Sequence, residues 1–329
     1  MMNSTWKSPD YKIVPGTTVV GKWHKNRYSI IKTLGYGATG HVYLANCTNG
    51  EQVALKISDN SLSITSEVNV LRHFEKVQGF ALGPSLIDVD DWEIMHGKSI
   101  SFYVMEYVRG ESFLTFINQR GQEWIGILIL QLLSDLHILH KEGWVFGDLK
   151  PDNLMISLHP PKVRMLDVGG TTLKGRSVKE FTEFFDRGYW GLGTRRAEES
   201  YDLFSVAMIM INAAYPNRFE KDGRGVLQLK EKIKHHPFLL AHEKFLTSAL
   251  NGNFVNALQM KEALAKSLSN APRNKEKITK VTKTQTGTSR VARRNQRKTK
   301  KFIKRFSETI VLVAVVCMIY FLYVYSHLL

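Results

Sequence analysis

Three stretches of this chain carry residue types whose order suggests phosphate chemistry. The first is Leu34-Gly35-Tyr36-Gly37-Ala38-Thr39-Gly40-His41-Val42, with glycines spaced G-x-G-x-x-G. That spacing lets backbone N–H groups approach anionic oxygens with no Cβ in the way, although glycines also serve tight turns. The second is Val53-Ala54-Leu55-Lys56, a lysine closing an apolar run, with Glu67 eleven residues further on. Such a lysine either snorkels its ammonium to water or takes a partner, and Glu67 is an acid able to pair with it. The third is Phe146-Gly147-Asp148-Leu149-Lys150-Pro151-Asp152-Asn153-Leu154, followed by Met165-Leu166-Asp167-Val168-Gly169. Asp148, Asn153 and Asp167 offer two carboxylates and an amide. They suit Mg²⁺ when phosphates complete its shell, with one acid left to orient a hydroxyl. Alone, the run from Asp148 to Asn153 would also fit a turn with capping groups. The three blocks in this order favour phosphoryl transfer over three separate structural uses.

The elements that must position these residues are legible in outline. Apolar alternation predicts strands at Tyr28 to Leu34, His41 to Asn46 and Gln52 to Ile57, the last two joined by a Thr-Asn-Gly turn at 48–50. The pattern argues against a dinucleotide-binding fold, because that fingerprint opens a helix whereas Gly40 runs into a second strand. A helix is predicted over Ser66 to Phe74, with Val70, Leu71 and Phe74 on one face. Glu123 to His140 is apolar on nearly all faces, as a buried helix would be, and the second half of the chain reads as mostly helical. No internal repeat is present.

With these blocks in order, the chain resembles the protein kinases over about Tyr28 to Leu268 and is similar to the eukaryotic-like Ser/Thr kinases of bacteria. The resemblance implies an α+β, two-lobed protein-kinase fold with a β-rich N-lobe and a helical C-lobe. It implies ATP and Mg²⁺ as cofactors. ATP would be held by Leu34, Gly35, Gly37, Gly40, Val42, Ala54, Lys56, Glu67, Glu106, Val108 and Glu111, with Val104 to Val108 as the adenine hinge. Asp148 would be the catalytic base, Lys150 a contact to the γ-phosphate, Asn153 and Asp167 the metal ligands, and Asp202 the buried helix acid holding the catalytic loop. Several positions depart from the family pattern. Phe146-Gly147 stands where His-Arg is usual, so the arginine that would bind a phosphorylated activation loop is missing, and Val168 replaces a phenylalanine. The Ala-Pro-Glu anchor is matched at best by Ala197-Glu198-Glu199, close to Asp202, which implies an abbreviated peptide groove. The interval from Lys56 to Glu67 is also short and implies a trimmed connection.

Composition excludes wholesale disorder, collagen and small disulfide scaffolds: of 329 residues, 43% are hydrophobic and 9 are proline. The two cysteines, Cys47 and Cys317, form neither a stapling framework nor a metal-ligand spacing, and point to a reducing compartment. The formal net charge of +15 is local. Residues 273–305 hold 14 Lys/Arg and one acid, leaving +2 for everything else. Few large apolar residues lie between Ala271 and Arg305, so this stretch is expected to be a linker. From Thr309 to Leu329 run 21 residues without a charge. At a helical rise this reaches about 31 Å, enough to cross a hydrocarbon core. Lys/Arg immediately before the span puts the rest of the chain on the cytoplasmic side. The expected location is thus a single-pass cell-membrane protein with a cytoplasmic catalytic domain, no signal peptide and no extracellular sensor.

The expected segments are an N-terminal extension over 1–27, a kinase domain over 28–270 with its N-lobe ending near 109, a basic linker over 271–306 and an anchor over 307–329. Within the linker, Lys275, Lys277, Lys280, Lys283, Arg290, Arg293, Arg294, Arg297, Lys298, Lys300 and Lys301 could neutralise phosphates of DNA. A juxtamembrane basic run can equally sit on anionic lipid. Kinase body, basic linker and anchor together resemble the DNA-activated membrane kinases of endospore-forming bacteria, which favours DNA as the partner. Protein substrates, self-association and autophosphorylation are further expectations, with Thr171, Thr172, Ser177, Thr182, Thr279, Thr282 and Thr284 as acceptors. Competing readings are a pseudokinase scaffold, or a small-molecule kinase with a lipid-binding basic segment.

Overall fold

The computed structural model describes residues 13–37, 39–76, 83–95 and 97–270. The basic segment and the expected membrane span lie outside the described residues.

The first lobe is a six-stranded antiparallel sheet: β1 (Thr18–Val20), β2 (Arg27–Gly37), β3 (Gly40–Cys47), β4 (Gln52–Ser58), β5 (Leu86–Met95) and β6 (Lys98–Glu106). Its spatial order is β1-β2-β3-β4-β6-β5. Side chains alternate between two faces with the strand period of two. On one face Val53, Leu55 and Ile57 meet Tyr43, Phe102 and Val104 in a small apolar core. Ala54, Tyr103 and Met105 belong instead to the main core, shared with the second lobe. The N-terminal strap is tied to β5 by buried acids. Asp88 accepts from Asn26 and Tyr28 and meets His24, and Asp90 accepts from the backbone of Trp23 and His24.

Helix α1 (Ser61–Lys76) follows β4 directly and buries Ile64, Glu67, Val68, Val70, Leu71 and Phe74. It begins five residues earlier than apolar periodicity alone predicts. Asn60 explains the extension, because its Oδ1 accepts from the Ser63 amide and supplies one orphan donor of the first turn with a partner.

The second lobe is mainly helical, as expected. It comprises β7 (Glu111–Ser112), α2 (Phe113–Arg120), α3 (Glu123–Lys141), β8 (Trp144–Val145), the hairpin β9 (Leu154–Leu158) and β10 (Pro161–Met165), and β11 (Thr172–Leu173). Helices α4 (Glu199–Ala214), α5 (Val226–Lys234), α6 (Pro237–Ala241), α7 (Glu243–Leu250) and α8 (Ala257–Asn270) complete it. Helix α3 is long and apolar enough to cross a membrane by composition, yet Ile125, Leu128, Ile129, Leu132, Leu133 and Leu136 are buried by the protein itself. It is the core helix of the lobe, as its all-round apolarity predicts.

Candidate active site

The glycine block is the tip of the β2–β3 hairpin, with Gly37 paired to Gly40. Gly40 has φ +141°, and a Cβ there would lie 2.3 Å from the Ile57 carbonyl oxygen, so this position accepts only glycine. Gly35 and Gly37 face open space instead, where a phosphate can approach their backbone. Register then places the lysine. Val42 pairs with Lys56 and Lys56 with Tyr103, giving one cross-strand row on the same face as Ala54 and Met105. Lys56 Nζ donates to Glu67 Oε2 at 2.6 Å and lies 3.5 Å from Asp167 Oδ1. The Tyr103 hydroxyl donates to Glu67 Oε2 at 2.7 Å. Burial pushes the Lys56 ammonium toward neutrality, but Asp167 and Glu67 more than reverse this, and the net direction is up. The lysine stays charged, and its partner is the expected Glu67 despite the short interval between them.

The catalytic-loop residues hang from α4. Asp202, fully buried in its first turn, accepts from the backbone N–H of Phe146 at 2.8 Å and of Gly147 at 3.0 Å. The third partner is His140 at the end of α3, whose Nε2 lies 2.8 Å from Asp202 and whose Nδ1 lies 3.4 Å from Glu199. Burial lowers the His140 pKa, yet the hydrogen bond to Asp202 and the nearby Glu199 carboxylate raise it further, so the net shift is upward. Nε2 is the hydrogen-bonded nitrogen, and Nδ1 makes no hydrogen bond. Downstream, Lys150 Nζ bonds Asp148 Oδ2, and the Asn153 amide donates to the Asp148 carbonyl at 2.9 Å. The β9–β10 hairpin pairs Leu154 with Met165 and so brings Asp167 back beside Asn153, as the two-loop reading expects.

Gly147 stands where an arginine is usual, and the surroundings explain why. It has φ +83°, and a Cβ would meet the Gly170 carbonyl oxygen at 2.7 Å and Val178 Cγ1 at 3.4 Å. Val178 itself belongs to a buried cluster with Val145, Ala197 and Tyr201. An apolar contact fills the space that a charged clamp would need.

The segment after Asp167 is held at Ala197, which is buried and exchanges backbone hydrogen bonds with Gly175 and Arg176, and at Glu198, 3.7 Å from Arg187; a further set of contacts centres on Asp186. Asp186 is fully buried and accepts from the Gly188 and Tyr189 amides, from Tyr201 Oη at 2.9 Å and from Arg195 at 2.7 Å. Arg187 donates to the Thr194 carbonyl and to Ser200 Oγ, each at 2.7 Å. Glu199 serves His140 and Lys174. The acceptors sort in the same way: Thr171 and Thr172 are buried, whereas Ser177 is exposed. Thr182 Oγ1 donates to Asp148 Oδ1 and accepts from Lys150, both at 3.0 Å. Thr182 is therefore part of the site's wiring and not a free acceptor; Thr279, Thr282 and Thr284 lie outside the described residues.

A family model, the protein kinase domain, matches residues 28–305. The chain belongs to the protein kinase family. The serine/threonine-protein kinase YabT of Bacillus subtilis is 50% identical over 279 residues, covering 84% of this chain and 82% of that protein. The carbon catabolite-derepressing protein kinase of Saccharomyces cerevisiae is 31% identical over 179 residues, 51% of this chain and 26% of the yeast protein. A CBL-interacting serine/threonine-protein kinase of Arabidopsis thaliana, number 19, is 30% identical over 141 residues, 40% of this chain and 27% of the plant protein. The extent of the first match, with the domain match, makes this chain a serine/threonine protein kinase.

In this kinase the expected residues meet around one cleft of about 990 Å³ between the lobes. Leu34, Val42, Ala54, Met105, Val108 and Leu166 line it with apolar surface suited to a flat base. Gly35, Gly37, Gly40, Lys56, Asp148, Lys150, Asn153 and Asp167 supply its polar part. Three ATP-binding expectations need revision: Glu67 is buried behind Lys56 and does not itself line the cleft. Glu111 does not line the cleft; its carboxylate pairs with Arg120 at 2.6 Å. Glu106 does line it, but its carboxylate is taken by Arg164 at 2.7 and 3.0 Å and its amide donates to the Ser85 carbonyl at 2.9 Å. Sequence reasoning missed Tyr103, His140, Arg164 and Asp186, which act through register or long-range packing. Thr182 carried a signal only as a hydroxyl in the right segment.

The donor set fits the divalent metal that kinase chemistry requires. Asn153 uses Nδ2 on the protein, leaving Oδ1 for a ligand. Asp167 receives the Gly169 amide and Lys56 on Oδ1 alone, leaving Oδ2. Two hard oxygens with phosphate oxygens beside them are what Mg²⁺ takes.

Proposed function

We propose that this kinase transfers the γ-phosphoryl group of Mg²⁺-bound ATP to serine or threonine hydroxyls of proteins at the inner face of a membrane, under control of DNA bound by residues 273–305. The observation that carries the catalytic part is the convergence of Lys56, Asp148, Lys150, Asn153 and Asp167 on one cleft. The glycine hairpin covers the phosphates, and Lys56, held by Glu67, meets the α- and β-phosphate oxygens. Asp148 orients the acceptor hydroxyl and takes its proton as the oxygen–Pγ bond forms and the Pγ bond to the bridging β,γ-oxygen breaks, releasing ADP. Lys150, fixed between Asp148 and Thr182, neutralises charge on the moving phosphoryl group. Asn153 and Asp167 would hold magnesium, which would supply neutralisation of the negative charge on the phosphates.

Membrane attachment rests on the uncharged run at 309–329, and DNA control on the basic charge of residues 273–305. The test is transfer of label from γ-labelled ATP to a generic protein acceptor, comparing the full chain, Asp148→Asn and a truncation after Asn270, with and without duplex DNA over a salt series. The proposal expects transfer lost in Asp148→Asn, and raised by DNA only when the basic segment is present. Asp148-dependent transfer indifferent to DNA would return the basic run to lipid and topology. Nucleotide binding with no transfer under any condition would favour a scaffold.

A further inference from the structure

One contact links the segment after Asp167 to α1 at the turn that carries Glu67. Lys179 Nζ donates to Ser66 Oγ at 3.1 Å and to the Thr171 carbonyl oxygen at 3.3 Å. Ser66 is the residue immediately before Glu67, and Glu67 is the partner of Lys56. The backbone on both sides of Lys179 is pinned. Val178 sits in the apolar cluster over Gly147, and Thr182 is bonded to Asp148 and Lys150. A lysine between two fixed points loses less freedom in reaching a partner than one on a loose loop. Gly147 supplies no side chain through which a phosphate on this segment could act on the catalytic loop.

We propose that Lys179 is a positioning residue for phosphoryl transfer. By holding Ser66 it keeps the α1 turn bearing Glu67 against Lys56, and it does so with no phosphate on the activation segment. The chain of contacts runs Thr171 carbonyl, Lys179, Ser66 backbone, Glu67, Lys56, and ends at the ammonium that meets the ATP phosphates. An unphosphorylated lysine thus joins activation segment to helix where a phosphate and a basic partner could otherwise be used. The inference rests on the roles proposed above for Lys56 and Glu67.

The experiment compares full-length wild type, Lys179→Met, Lys179→Arg, Ser66→Ala and the Lys179→Met/Ser66→Ala double variant. It reads kcat and KM for both ATP and a peptide acceptor, with protein dephosphorylated beforehand. Losing one charge-assisted contact of this kind is expected to lower kcat about tenfold in Lys179→Met, with peptide KM unchanged. Lys179→Arg restores most of the rate. Ser66→Ala loses rate in the same direction, and the double variant is no slower than the slower single one, since both remove the same link. Lys179 also borders the cleft and could touch a phosphate directly. In that case Ser66→Ala would keep wild-type kcat while Lys179→Met raised KM for ATP, and the proposal would be overturned. Additive losses in the double variant would overturn it too. Lys56→Met with undiminished transfer would instead remove the reading of the site on which the inference stands.

Discussion

Replacing His140 with leucine should expose how far the catalytic loop depends on one buried ring. In the native protein Asp202, fully buried, has three donors: the Phe146 and Gly147 amides and the His140 ring. Removing one partner of a buried ion pair typically costs about 3–5 kcal/mol. Two backbone N–H groups remain on Asp202, so roughly 2–3 kcal/mol is the expected loss here. For a domain of this size that lowers Tm by roughly 5–10 °C. The pH dependence gives a sharper test. His140 has a raised folded-state pKa, so the native state binds its proton more tightly than the unfolded chain does. Its stabilisation is full below an unfolded value of about 6.5 and is lost as pH rises through the folded value. Melting curves from pH 6 to 9 should therefore fall more steeply in wild type than in His140→Leu, the two converging toward the alkaline end. Loss of kcat should accompany the lower Tm, because the Phe146–Gly147 backbone positions Asp148. Parallel slopes, or a variant Tm within a degree of wild type, would refute the assignment of His140 as a charged partner of Asp202.

Lys56→Met keeps the length of a buried stem while removing the ammonium, and is expected to leave Tm within a few degrees but cut transfer by a hundredfold or more; wild-type turnover in the variant would sink the role given to Lys56. Asp186→Asn places an amide among donors that need a carboxylate, costing about 2–4 kcal/mol locally. Limited proteolysis should then cut within residues 176–197, and unchanged protection would count against Asp186 as an anchor. Asp135 is buried in α3, and burial raises its pKa to about 7. An acid with a raised folded value stabilises fully below about pH 4 and loses that stabilisation as pH rises through 7. Asp135→Asn should therefore gain about 2–4 kcal/mol relative to wild type between pH 5 and 8 by denaturant titration, and an equal gap at both pH values would dismiss the shift.

What was legible in the sequence divides along a physical line. Local pattern was enough for the β2–β3 hairpin and for α3, because strand alternation and helix periodicity are set by neighbours in the chain. The catalytic-loop residues were legible because their chemistry needs fixed residue types at short spacing. The short motif near Asp202 was legible as a holding point, but the second one, at Asp186, was not. Asp186 does that work through donors from Gly188, Tyr189, Arg195 and Tyr201, a set assembled only when the segment folds on itself. Glu111 stands away from the cleft, and the Glu106 carboxylate is engaged although that residue lines it, for a similar reason. Their partners, Arg164 and Arg120, are placed beside them by the β9–β10 hairpin and by α2.

The apolar contact at Gly147 bears on how such an enzyme can be controlled. A segment held by a charge clamp can be released by removing a phosphate, because the clamp is strong only while the charge is present. Val178 packed with Val145, Ala197 and Tyr201 has no such handle, and Lys179 and Thr182 extend the same fixed arrangement to Ser66 and Asp148. None of these contacts uses a phosphate on the segment, and under the proposed function control would enter through the residues that follow α8. Helix α8, which ends at Asn270, packs against α3, and α3 carries His140 to Asp202 and the catalytic loop. A polyanion gathering the basic residues that follow α8 could raise activity by bringing kinase molecules together, or by biasing α8 against α3. The two differ in concentration dependence: clustering gives a rate per molecule that depends on kinase per length of DNA and falls when DNA is in excess, whereas a shift within one molecule does not.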